Sequence, residues 1–284
     1  MHRRTLLSLP GLGALAVVGL SLTACETEEP DVDDSDARRE TYGDDPSQFG
    51  DLYLPEGTPR GVVVVIHGGF WRAGYDYTLG TPLAASLAEA GWAAWNLEYR
   101  RVGDPDEGGG GGTPQTFDDV AAGIDKLADL DLGLDLATAP VITLGHSAGG
   151  HLAAWAAARG RYDWPEDVTI THVVSQAGVL DLIASEDSNL GGGAAGAFLG
   201  HQPTVADEKY DPTQQLPLDV PLWCVHGTDD TIVPLTQSST YVERATDAGA
   251  TAELVEVEGG DHFVVIDAES DAWARTLEIL DGIG

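Results

Sequence analysis

From residue 61 onward, short continuous apolar runs alternate with longer alanine-rich or amphipathic stretches. The apolar runs are "GVVVVIHGG" (61–69), "WAAWNLEY" (92–99), "APVITLG" (139–145), "THVVSQAG" (171–178), "PLWCVHG" (221–227) and "AELVEVEG" (252–259). They show little period-2 alternation, as expected for strands covered on both faces. Helices are predicted near 79–90, near 116–130, from 148, near 235–248 and near 270–281. Repeated strand–helix units of this kind predict an α/β fold with one mostly parallel, doubly covered sheet. Thr116 followed by Asp119 predicts a capping box at the start of the second helix.

Two segments break the rhythm. "EGGGGG" (107–112) reads as a flexible loop, and it lacks the Lys and Ser/Thr of a phosphate-binding P-loop. Residues 180–216, which include "SNLGGGAAGAFLGHQ", form a long excursion that reads as a short lid, with Phe198, Leu199 and His201 as candidate cover residues.

The N-terminus changes the picture of where the protein works. Arg3 and Arg4 precede a glycine-broken apolar stretch over 5–22, too interrupted for a spanning helix and suited to a cleaved signal. "LTAC" (22–25) resembles a lipoprotein cleavage box, which implies cleavage after residue 24 and lipid on Cys25; "RRTLL" resembles a twin-arginine export signal. Residues 25–48 are acidic and poor in large apolar side chains, and read as a tether to a catalytic domain over 49–284. The expected location is the cell surface, with membrane contact only through the lipid.

The chain of 284 residues carries 14 basic against 47 acidic residues, a formal net charge of -33. Such a surface repels nucleic acid, so no nucleic-acid partner is expected. No His, Cys and acid cluster has zinc-like spacing, so neither metal nor cofactor is expected. With Cys25 acylated, only Cys224 remains, in a strand-like run where it reads as a small buried hydrophobe.

The candidate chemistry centres on "APVITLGHSAGGHLAAWAAA" (139–158). Gly145-His146-Ser147-Ala148-Gly149 matches G-x-S-x-G between a β-branched strand and an alanine-rich helix, the nucleophile-elbow context. A serine needs a base, and the base needs an orienting acid. "TDDTIVP" offers Asp229 and Asp230 after one strand, and "GDHF" offers His262 after the next, in the chain order Ser, acid, His.

These motifs resemble the α/β-hydrolases of the esterase and lipase kind, over roughly residues 42–284. "HGTDDTIVP" is similar to the family's HG-x-x-D-x-x-VP, which implies Asp230 as the acid. "VVVVIHGGFW" (62–71) resembles the HGG-type loop, which implies backbone donors to an oxyanion at Gly69 and Phe70, with Ala148 as the third. The HGG-aromatic-W form is similar to acetyl and feruloyl esterase-like members and to kynurenine formamidases, with Trp71 a candidate to line the substrate. The resemblance implies a serine hydrolase of small-molecule or carbohydrate esters. Its rivals are an arylformamidase and a catalytically silent binding protein on the same scaffold.

Overall fold

A computed structural model describes residues 37–283. The signal segment, Cys25 and residues 25–36 of the expected tether lie outside the described residues. Eight strands form one sheet in the order β1-β2-β4-β3-β5-β6-β7-β8. Its parallel members are β3 (Val62–Ile66), β4 (Ala93–Leu97), β5 (Val141–His146), β6 (His172–Gln176), β7 (Leu222–Gly227) and β8 (Ala252–Val257), each parallel to its neighbours within this group. The sheet is that of the α/β-hydrolase fold.

The part the apolar pattern did not disclose is the antiparallel pairing at one edge. β2 (Phe49–Tyr53) pairs antiparallel with β4, and β1 (Arg38–Thr41) pairs antiparallel with β2. Residues 38–48 were expected to belong to the tether, yet Arg38–Thr41 form the strand at the sheet's edge. The reason lies in specific pairings that composition hides. Arg39 donates two hydrogen bonds of 2.7 Å to the buried Asp51, and its guanidinium sits 3.8 Å from the Phe49 ring centroid.

The unbroken apolar run of β3 follows from burial on two sides. Val62, Val64 and Ile66 face one core and Val63 and Val65 the other, all at most 2% exposed. Each such side chain contributes about 1.5–3 kcal/mol over leaving it in water. The helices are α1 (Thr81–Glu89), α2 (Gln115–Asp125), α3 (Ala148–Ala156), α4 (Leu182–Asp187), α5 (Ala194–Leu199), α6 (Thr236–Asp247) and α7 (Asp271–Asp281).

Two local expectations are corrected. The predicted capping box does not form, because α2 begins at Gln115 and both its members face inward. Thr116 Oγ1 donates to the Arg100 carbonyl at 2.7 Å, while Asp119 accepts from the Arg100 amide and guanidinium and from Gln48. The glycine run at 107–112 is a held turn. The amides of Gly109 and Gly111 donate at 2.8 Å to Asp104 and Arg101, and a Cβ on Gly111 would stand 2.1 Å from the Arg100 carbonyl oxygen.

The excursion at 180–216 is a packed cap. Phe198 and Leu199 are buried in the larger core, and His201 is exposed. Its two feet are stapled where Thr213 donates to the Leu180 carbonyl through both its amide and its hydroxyl.

Candidate active site

Ser147 stands between β5 and α3 with φ 55 and ψ -119, a conformation that costs a non-glycine residue about 1–3 kcal/mol. The turn closes only because its flanking residues lack side chains. A Cβ on Gly145 would lie 2.0 Å from the Gly149 carbonyl oxygen, and one on Gly149 would lie 2.0 Å from that of Ile66. The strained amide of Ser147 is anchored by donation to the Gln176 carbonyl at 2.8 Å.

Asp230 and His262 meet above the ends of β7 and β8. His262 Nδ1 donates to Asp230 Oδ2 at 2.7 Å, which leaves Nε2 as the lone-pair nitrogen. Asp230 Oδ1 accepts from the amides of Ile232 and Val233 at 2.8 and 2.9 Å, so the "TDDTIVP" turn is itself the cradle of the carboxylate. Burial opposes its ionisation, but hydrogen bonds from His226, His262 and the Ile232 amide outweigh that and hold Asp230 well below the usual carboxylate range. Asp229 is exposed.

His262 and the Ser147 elbow are joined through His146. Its Nε2 donates to the His262 carbonyl at 2.9 Å, and the two rings lie 4.5 Å apart. Burial, with His262 close by, pushes the His146 pKa down to about 3, so the ring is neutral.

The loop after β3 brings Gly69 and Phe70 to the same end of the sheet. Gly69, Phe70 and Trp71 have φ of 109, 56 and 56, three consecutive left-handed residues. Among the described residues, the amides of Gly69, Phe70 and Ala148 donate to no other group. Gly68 runs so close to the elbow that a Cβ there would be 3.0 Å from Ser147 Cβ. Behind the loop, His67 sits between the Gly68 carbonyl at 2.8 Å and the Glu98 carboxylate at 3.1 Å, and Tyr99 donates to the His67 carbonyl at 2.7 Å.

Trp71 is a correction. It is 1% exposed, stacks on Phe198 with centroids 4.7 Å apart, and donates from Nε1 to His151 Nδ1 at 3.2 Å. A ring so enclosed has no face for a substrate. It ties the loop after β3 to the cap instead, and His151 completes the tie by donating to the Tyr210 carbonyl at 2.8 Å.

Three residues at the site were missed by sequence reasoning. Phe263, beside His262, is 55% exposed, and Tyr75, over Gly69, is 44% exposed. His226 lies with Nε2 3.2 Å from Asp230 Oδ2. "WCVHG" signalled only a strand; the contact with Asp230 needs the turn that follows it. Cys224 is buried and free, with burial pushing its thiol up to about 12, in keeping with a small hydrophobe.

The BD-FAE family model matches residues 51–244. The isoprenylcysteine alpha-carbonyl methylesterase ICME of Arabidopsis thaliana is 28% identical over 241 residues, covering 78% of this chain and 55% of its own. The chain thus spans about half the length of the curated relatives it matches. Among solved structures, a carbohydrate esterase from gut microbiota, in truncated form, aligns with TM-score 0.72 at 21% identity, covering 88% of this chain and 97% of its own. Esterase 2 of Thermogutta terrifontis, phosphoramylated by tabun, aligns with TM-score 0.70 at 23% identity, covering 87% and 93%. The matched segment runs from the inner antiparallel strand into α6 and includes the elbow and the Asp230 turn; the chain belongs to the BD-FAE family, built on the α/β-hydrolase fold.

Proposed function

We propose that the protein is a serine hydrolase of carboxylic esters, acting through Ser147, His262 and Asp230. The observation that carries this reading is the strained Ser147 elbow, tied through His146 Nε2 to the His262 carbonyl at 2.9 Å, with the His262 imidazole oriented by Asp230 at 2.7 Å. Ser147 Oγ attacks the ester carbonyl as His262 Nε2 takes its proton. The developing oxyanion is received by the amides of Gly69, Phe70 and Ala148, each worth about 3–4 kcal/mol in the transition state. His262 returns the proton to the leaving alcohol, and water releases the acyl group by the same route. The esterase names of the relative and of both structural neighbours support the ester class.

The lipoprotein-like start supports export and anchoring through Cys25, and hence extracellular esters of short acyl groups or carbohydrates. The HGG-F-W sequence also favours an arylformamidase, which the same test separates. The purified protein is to be labelled with a fluorophosphonate and assayed on p-nitrophenyl acetate, acetylated xylan and N-formylkynurenine. A serine adduct on Ser147 with ester turnover is expected, and Ser147→Ala should lower kcat by about a millionfold. Absence of an adduct on folded protein refutes the serine mechanism; a preference for N-formylkynurenine makes the formamidase reading the correct one.

A further inference from the structure

Gln176, the last residue of β6, touches both catalytic loops. Its backbone carbonyl accepts from the Ser147 amide at 2.8 Å, and its side-chain Nε2 donates to the carbonyl of Val265, three residues past His262, at 2.6 Å. The same Nε2 lies 3.3 Å from Thr276 Oγ1 on α7. A fully buried glutamine is costly unless it is hydrogen-bonded, and this one spends its donor on the histidine loop.

His146 makes the complementary contact, gripping the His262 carbonyl from the elbow side. Because its Nε2 donates there, Nδ1 carries the lone pair. That atom faces Gly68, where a Cβ would be 3.1 Å away, and it has no partner among the described residues. Gln176 Oε1 is likewise buried and without a partner among them. Both residues line one small cavity of about 10 Å³, roughly the space one water needs. Two acceptors at one water-sized site match a single water, which has two hydrogens to give.

We propose that Gln176 and His146 are a pair of positioning residues, coupled through one water, that hold the His262 loop in register with the Ser147 elbow. This rests on the serine-hydrolase reading. The two residues act from behind the reacting atoms, so their loss should lower kcat and leave KM nearly unchanged. A slip of about 1 Å of the base relative to the nucleophile is enough to slow the chemical step by about a hundredfold.

The test is a double-mutant cycle on p-nitrophenyl acetate with Gln176→Met, His146→Leu and the double variant, each checked for a cooperative thermal transition. Each single variant is expected to lose about tenfold or more in kcat with KM within about twofold. The double variant should lose little more than the worse single one, because the two groups serve one water and one loop. His146→Gln keeps an N–H donor toward His262 and should recover most of what His146→Leu loses. If His146→Leu does not fold, Gln176→Met alone and the spectroscopic test below decide.

Additive losses, or a kcat within twofold of wild type for Gln176→Met, overturn the proposal. A readout independent of turnover keeps it separate from the ester reading. In ¹⁵N NMR of the wild-type protein, His146 should be the neutral Nε2–H tautomer with a hydrogen-bonded Nδ1, and Gln176→Met should shift that Nδ1 resonance. An Nδ1–H tautomer, or a resonance indifferent to position 176, refutes the pairing even if the protein hydrolyses no ester. Wild-type failure to take the fluorophosphonate would count against the serine-hydrolase reading and leave this spectroscopic test standing.

Discussion

His226 Nε2 lies 3.2 Å from Asp230 Oδ2, the same oxygen that accepts His262 Nδ1 at 2.7 Å. His226 also donates to the Val233 carbonyl at 2.9 Å and pairs with Ser238 Oγ at 2.8 Å, so its ring is fixed from three sides. The carboxylate is therefore flanked by two imidazoles while two amides hold its other oxygen. It stays ionised despite having no exposed surface on its side chain. A group so fully partnered cannot be replaced by its amide without placing an N–H against another N–H.

Asp230→Asn is accordingly expected to lower kcat by about 10⁴-fold, the scale for losing the orienting acid of a serine triad. Asp229→Asn, at an exposed side chain, should stay within about twofold of wild type. Steady-state rates on p-nitrophenyl acetate decide between them, and the reverse order would mean that the carboxylate cradle has been assigned to the wrong residue.

Trp71→Phe removes the indole donor and leaves His151 Nδ1 buried with no proton to accept. An orphaned buried acceptor costs about 1–3 kcal/mol, readable as a lower urea midpoint. The order of preference among acyl chain lengths should not change, because the ring faces His151 and Phe198. A changed order with unchanged stability would restore Trp71 to the substrate site.

Gly149→Ala should prevent the elbow from closing. Its Cβ would meet the carbonyl oxygens of Ile66 and His67 at 2.0 and 2.5 Å, backbone atoms that cannot swing aside. Overpacking of this kind costs about 1–3 kcal/mol or more, and calorimetry should show a reduced Tm together with loss of fluorophosphonate labelling.

The buried histidines set an acid limit on stability. Burial is the leading cause that pushes His146 down from 6.5 to about 3 and His151 to about 4. Between those values and about 6.5 the unfolded chain binds protons that the folded protein refuses. Their contribution is thus complete above about pH 6.5 and drains away as pH falls toward 4. The urea midpoint should drop between about pH 7.5 and about pH 4.5, and His151→Gln should show a smaller drop than wild type. An equal drop in both would place the acid sensitivity elsewhere.

Much of this molecule is legible in one dimension because its information is local. The inner parallel strands β3 to β7 announce themselves as apolar runs, since a strand buried on both faces needs no alternation. Ser147 is marked by two glycines whose absence of Cβ is a requirement of the turn itself. Asp230 and His262 each follow a strand in the order that the resemblance to α/β-hydrolases implied. What only the tertiary structure decided are contacts between segments far apart in the chain. The Arg39–Asp51 pair turned part of an apparent tether into the sheet's edge. Arg100 drew Thr116 and Asp119 inward and abolished a capping box. Phe198, more than a hundred residues further on, closed over Trp71 and made a candidate substrate contact into core. In each case the local pattern fitted two outcomes, and the partner that chose between them arrives only when the chain folds back on itself.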